Sequence, residues 1–164
     1  MKTYIQKNKQ RFLDELFELL RIPSVSADSK HKGDVRRAAE FVKDKLIDAG
    51  ASHATLHETA GHPIVFGELL IDEKLPTILV YGHYDVQPAD PIELWETPPF
   101  EPEIRNEKIY ARGAADDKGQ MYMHVKALAA TLANNALHWN MKFMIEGEEE
   151  AGAKNLETVV RENG

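Results

Sequence analysis

The residues best suited to chemistry are His83 and Asp85, in the run Ile78-Leu79-Val80-Tyr81-Gly82-His83-Tyr84-Asp85-Val86-Gln87-Pro88. A short apolar run of this kind predicts a strand buried on both faces, as in parallel sheets. Side chains two apart on a strand point the same way. His83 and Asp85 therefore share a face at the strand's C-terminal end, where α/β proteins place their ligands. An imidazole beside a carboxylate suits a metal, because zinc takes one ring nitrogen while a carboxylate holds the other. On its own, a His-x-Asp at a strand end is more often a polar cap.

Two further acidic turns change that balance. Asp116 and Asp117 lie in Arg112-Gly113-Ala114-Ala115-Asp116-Asp117-Lys118-Gly119, after one predicted strand and before a helix. Glu146, Glu148, Glu149 and Glu150 lie between another strand and the last helix. In a parallel α/β sheet all these turns fall on one edge. Carboxylates that close repel strongly unless cations offset them, so a divalent metal site explains the set. Each piece alone has a plainer reading. Asp116 or Asp117 suits a helix N-cap, and Glu148 to Glu150 suit the positive end of a helix dipole. The conjunction, with no basic cluster beside it, argues for a metal. His31, His53, His57, His62, His124 and His138 fall away from these turns and are expected to be surface or internally satisfied histidines.

The elements that must position these groups follow from hydrophobic periodicity. Helices are predicted over 4–20, 34–49, 118–134 and 153–161, with Gly50 as a left-handed stop. Strands are predicted over 54–57, 63–70, the His83 run, 109–111 and 139–145, and 87–102 reads as a long proline-bearing loop. Helices alternating with strands imply an α/β fold, a mostly parallel sheet sandwiched by helices. A chain of 164 residues holds one domain with a real core. The formal charge of −7 argues against nucleic acid. The absence of cysteine removes thiolate ligands, thiol nucleophiles and disulfides, so any metal falls to His and carboxylates. No run approaches the roughly 20 apolar residues of a membrane span, and the N-terminus lacks the apolar core of a signal peptide. A cytoplasmic protein without membrane association is the expectation.

In order and spacing, Tyr81 to Pro88, Trp95-Glu96-Thr97-Pro98-Pro99-Phe100, Arg112 to Gly119 and Glu146-Gly147-Glu148-Glu149-Glu150-Ala151-Gly152 resemble the successive motifs of the di-zinc metallopeptidase family twenty. That family includes carnosinase-like dipeptidases, acetylornithine deacetylase, succinyl-diaminopimelate desuccinylase and glutamate carboxypeptidases. The Trp-x-x-Pro-Pro-Phe segment leans towards the dipeptidases. The resemblance implies His83, Asp116 and Glu150 as metal ligands, Asp116 bridging two zinc ions, with cobalt or manganese as substitutes. It implies Asp85 as the group that holds and polarises His83, a cis bond between Asp116 and Asp117, and Glu149 as the general base of amide hydrolysis. The paired acids are taken as Glu149 and Glu150, not Glu148, because the family's pair stands just before a small residue and glycine. The expected substrate is a dipeptide or small peptide. A deacylase of N-acyl amino acids and a non-catalytic peptidase-like interaction module are the alternatives. The family pattern also needs a further carboxylate, a later histidine and a lid domain that carries homodimer contacts. None has a candidate here. Residues 1–164 are thus expected to be the N-terminal portion of the catalytic domain, inactive alone, with an uncovered apolar surface or strand edge.

Overall fold

The structure is a computed structural model that describes residues 1–163. Helix α1 (Lys2–Leu20) stops at Arg21, before Pro23, and buries Leu19 and Leu20 completely. Helix α2 (Lys32–Asp48) buries Val35, Ala38, Ala39, Val42 and Leu46, which recur every three or four residues and so form one stripe. Gly50 ends it at φ +105°, in the left-handed region as expected.

The main sheet contains β1 (His53–His57), β2 (Ile64–Leu69), β3 (Thr77–His83) and β6 (Asn140–Glu146), in the order β1-β2-β6-β3. Strands β4 (Glu103–Arg105) and β5 (Lys108–Tyr110) form a separate two-stranded ribbon. Helix α3 (Lys118–Leu132) crosses from that ribbon towards β6, and α4 (Leu156–Asn163) follows β6. Strands β1, β3 and β6 run in one direction, while β2 is antiparallel to both of its neighbours. The α/β class holds, but the sheet is mixed, and β3–β6 is its parallel pair. Chain length explains the difference. The few residues between β1 and β2 allow a hairpin but not a crossover, whereas the long segment from β3 to β6 carries α3 and returns in parallel.

Helices α2 and α3 pack on the same face. A side chain at Gly67 would meet Leu46 of α2, and one at Gly82 would meet Met121 of α3. Register places both glycines on one side, through Gly67↔Phe143, Val80↔Phe143 and Gly82↔Ile145. There Val65, Val80, Phe143 and Ile145 meet Leu46, Met121, Val125 and Leu128 in the core. Helix α1 lies outside them, against α3. The opposite face carries Leu79 and Tyr81, 55% and 48% exposed. The expected sandwich is therefore covered by α2 and α3 on one side. Strand β3 is also not buried on both faces. It is the last strand of the sheet, and its edge opens onto a groove of about 420 Å3 lined by Leu79, Leu128, Leu137, Trp139 and Met141. The uncovered apolar edge expected from the sequence is present.

Candidate metal centre

Because β3 and β6 are parallel neighbours with His83 opposite Glu146, their C-terminal ends lie side by side. The turn after β3 carries Asp85, and the turn after β6 carries Glu149 and Glu150. Asp116 and Asp117 arrive differently from the expectation. They follow the β4–β5 ribbon, not a strand of the main sheet, and Asp117 stands at the N-cap position of α3 without a side-chain capping bond, its Oδ2 accepting from the His83 N–H instead.

The result is a convergent cluster. His83, Asp116 and Glu150 each offer a ligand atom within 4.8 Å of the others, and among the described residues they form the one such His–carboxylate group. His83 Nε2 lies 3.1 Å from Asp116 Oδ1 and 3.9 Å from Glu149 Oε2. Nδ1 of the same ring faces the main-chain oxygen of Asp85 at 3.1 Å and its Oδ1 at 3.3 Å. Two acceptors facing Nδ1 require that nitrogen to carry its proton, which turns Nε2 towards Asp116 and Glu149. Asp85 is fully buried, and its Oδ1 makes no hydrogen bond. Its Oδ2 accepts from the Ser26 hydroxyl at 2.5 Å and from the Glu150 N–H at 3.1 Å. Glu148 turns away, accepting from Asn155 Nδ2 at 2.6 Å. Gln87 Nε2 donates to Glu150 Oε2 at 2.8 Å. The peptide bond between Asp116 and Asp117 is cis, as the family resemblance implies.

Electrostatics match the crowding. Burial pushes the Asp117 carboxyl up, and it pushes Glu146 up as well. Burial alone would lower His83, but the Asp85 carboxylate set against Nδ1, with the charge of Asp117, raises it to about 9. The lysine next to Asp117 in the chain is turned elsewhere. Lys118 is fully buried and donates to Leu19 O at 3.1 Å and Ile22 O at 2.6 Å, and burial lowers its pKa to about 7. An imidazole and several carboxylates with no thiolate form a donor set that fits zinc, cobalt or manganese. None of the other histidines joins the cluster among the described residues.

Two participants, Lys118 and Ser26, escaped sequence reading, and Glu146, counted there among the turn acids, is the last residue of β6. Glu146 is 1% exposed and accepts from the Tyr81 hydroxyl on the same face of the sheet. Lys118 passed for a turn residue. Ser26 passed for part of a polar loop, yet residues 24–26 run beside 84–86, with a parallel bridge at Val25↔Val86 and the Val86 N–H donating to Ser24 O at 3.0 Å. The one local signal was the apolar Val25 between two serines.

Comparison with known proteins places this geometry. The sequence profile of Peptidase family M20/M25/M40 matches residues 79–163. The Cys-Gly metallodipeptidase DUG1 of Candida albicans is 36% identical over 95% of this chain and 35% of its own length. The human Beta-Ala-His dipeptidase is 36% identical over 92% of this chain and 28% of its own. A family M20 metallo-carboxypeptidase from Sulfolobus solfataricus superposes with a TM-score of 0.86 at 40% identity, over 93% of this chain and 34% of that one. Human carnosine dipeptidase 1 superposes with a TM-score of 0.87 at 31% identity, over 98% and 36%. The chain thus spans about a third of the length of the relatives it matches.

Proposed function

Because the chain belongs to Peptidase family M20/M25/M40, we propose that it supplies part of the catalytic centre of a metal-dependent hydrolase that cleaves the amide bond of a dipeptide or small peptide. The observation that carries this reading is the approach of His83, Asp116 and Glu150 to within 4.8 Å of one another. The relatives are named as dipeptidases and a carboxypeptidase, which favours peptides over N-acyl amino acids as substrates.

In this reading His83, Asp116 and Glu150 would hold the metal. Divalent cations bound there supply Lewis acidity and lower the pKa of water towards about 7. Asp85 fixes the His83 ring through Nδ1. Glu149, with its side chain 44% exposed beside Nε2, takes the proton of the attacking water and returns it to the leaving amine. Residues 1–164 are read as the N-terminal portion of the catalytic domain, holding metal incompletely and inactive alone. The share of the relatives' length supports that part of the reading.

A chimera tests it. Residues 1–163 would replace the matched third of the Sulfolobus solfataricus carboxypeptidase. Metal-dependent hydrolysis by the chimera, abolished by a chelator, together with none by the isolated chain, is expected. A folded, metal-loaded chimera that cleaves no member of a dipeptide panel would sink the assignment. Hydrolysis by the isolated chain with zinc would overturn its incompleteness.

A further inference from the structure

We propose that Ser26 is a positioning residue of this centre, acting through Asp85 on His83. The inference rests on the metal-site reading above and concerns a segment that this reading leaves unused.

A carboxylate has two oxygens, and the direction of one is fixed by whatever holds the other. Asp85 Oδ2 is held from two sides, by the Ser26 hydroxyl at 2.5 Å and by the Glu150 N–H at 3.1 Å. Both donors are thus spent on one oxygen. Oδ1 is left buried without a hydrogen bond, 3.3 Å from His83 Nδ1. Without the hydroxyl, the Glu150 N–H is the one remaining anchor on Oδ2, and the carboxylate is free to rotate about it. Its second oxygen then no longer confronts the ring.

Ser26 is itself held. The Val86 N–H donates to Ser24 O at 3.0 Å, the Ser24 hydroxyl donates to Tyr84 O at 2.7 Å, and His62 Nε2 lies 3.2 Å from Ser26 O. The segment 24–26 therefore presents one hydroxyl to the main chain of residue 84 and another, two residues on, to the carboxylate behind His83. Groups that orient a metal-binding histidine from behind typically change metal affinity about 10- to 100-fold when removed. Ser26 is one step further out, so the lower end applies.

Two readouts on this chain, neither needing hydrolysis, decide the matter. One is the downfield proton resonance of His83 Nδ1–H. The other is affinity for Zn2+ alone, titrated against a chelating indicator. Ser26→Ala is expected to shift or broaden the resonance and weaken Zn2+ about tenfold. Ser26→Thr, which keeps the hydroxyl, is expected to restore both to within about twofold of the parent, well inside that range. Ser24→Ala removes a hydrogen bond from the same segment without touching Asp85, and is expected to lower the melting temperature while leaving both readouts unchanged. Should Ser26→Ala fail to fold, Ser26→Cys, similar in shape but a weak donor, takes its place with the same expectation. The proposal is overturned if removing the hydroxyl leaves the resonance and Zn2+ affinity unchanged, or if Ser24→Ala reproduces the loss. If the isolated chain binds no Zn2+, the resonance decides the role of Ser26 there and the Zn2+ titration is made on the chimera, where the remaining ligands are supplied.

Discussion

Two clusters of charge lie in this molecule, and they solve the same problem differently. Between α1 and α3, Glu15 Oε2 accepts from the Tyr122 hydroxyl at 2.8 Å and pairs with Lys126 Nζ at 2.5 Å, while Arg11 approaches Oε1 at 3.3 Å. That carboxylate is met on every side by groups of this chain. At the ends of β3 and β6, Asp85, Asp116, Asp117, Glu146, Glu149 and Glu150 crowd one imidazole, and Lys118 points the other way. The first cluster is complete in itself and stabilises a helix contact. The second has acceptor capacity to spare, a surplus that the proposed metal would offset.

The largest test of the contrast is chemical. In the chimera, Glu149→Gln is expected to lower kcat about 10²- to 10⁴-fold while Zn2+ content stays at the parent level. Steady-state kinetics with metal analysis measures both, and a variant near parental activity would remove Glu149 from its role. Next comes the demand for a cation. Zn2+ at about 100 times its Kd should stabilise the isolated chain by about 2.7 kcal/mol. His83→Ala should abolish the gain in urea unfolding, and Glu15→Gln should leave it intact. A gain that survives His83→Ala would place the metal elsewhere.

Tyr81→Phe deletes the hydroxyl that serves the buried Glu146. The stranded carboxylate should cost about 1–3 kcal/mol at neutral pH. An unchanged denaturation midpoint would mean that Glu146 finds another donor. The smallest effect belongs to the balanced cluster. Burial alone would raise the Glu15 pKa, but Lys126 and Tyr122 outweigh it and hold the group below its ordinary 4.5. A depressed carboxyl stabilises the fold above its unfolded value, and the contribution is lost as pH falls through the folded one. Glu15→Gln should therefore cost about 1 kcal/mol at pH 7, and the difference from the parent should vanish in acid. A difference that persists below pH 3 would show packing, not charge, at that position.

The sequence was most legible where pattern and structure share a period. The stripe Val35, Ala38, Ala39, Val42, Leu46 and the stop at Gly50 are local facts found in α2, whereas Ile47, which the same periodicity counts as buried, is exposed and Phe41 only half-buried. That acids gather beside His83 was legible because their turns follow elements that periodicity defines, while the choice of Asp116 and Glu150 among them came from the family resemblance. Three features were not. The reversed direction of β2 depends on where a short hairpin returns, and alternation within the strand carries no direction. The β4–β5 hairpin turns at Asn106 and Glu107, which take φ of 49° and 63°. A glutamate there masks the asparagine–glycine signal that such turns usually show. Ser26 meets Asp85 across 59 positions of sequence, and a single long-range bridge leaves no periodic trace.

The buried Lys118 ammonium, fastened to the main-chain oxygens of Leu19 and Ile22, joins the first helix to the turn that carries Asp116. Trimming the N-terminus back past residue 22 would therefore do more than remove a surface helix. It would strip both hydrogen-bond acceptors from the Lys118 amine, two residues from an aspartate of the centre, so a deletion series from this end should lose Zn2+ binding abruptly instead of by degrees.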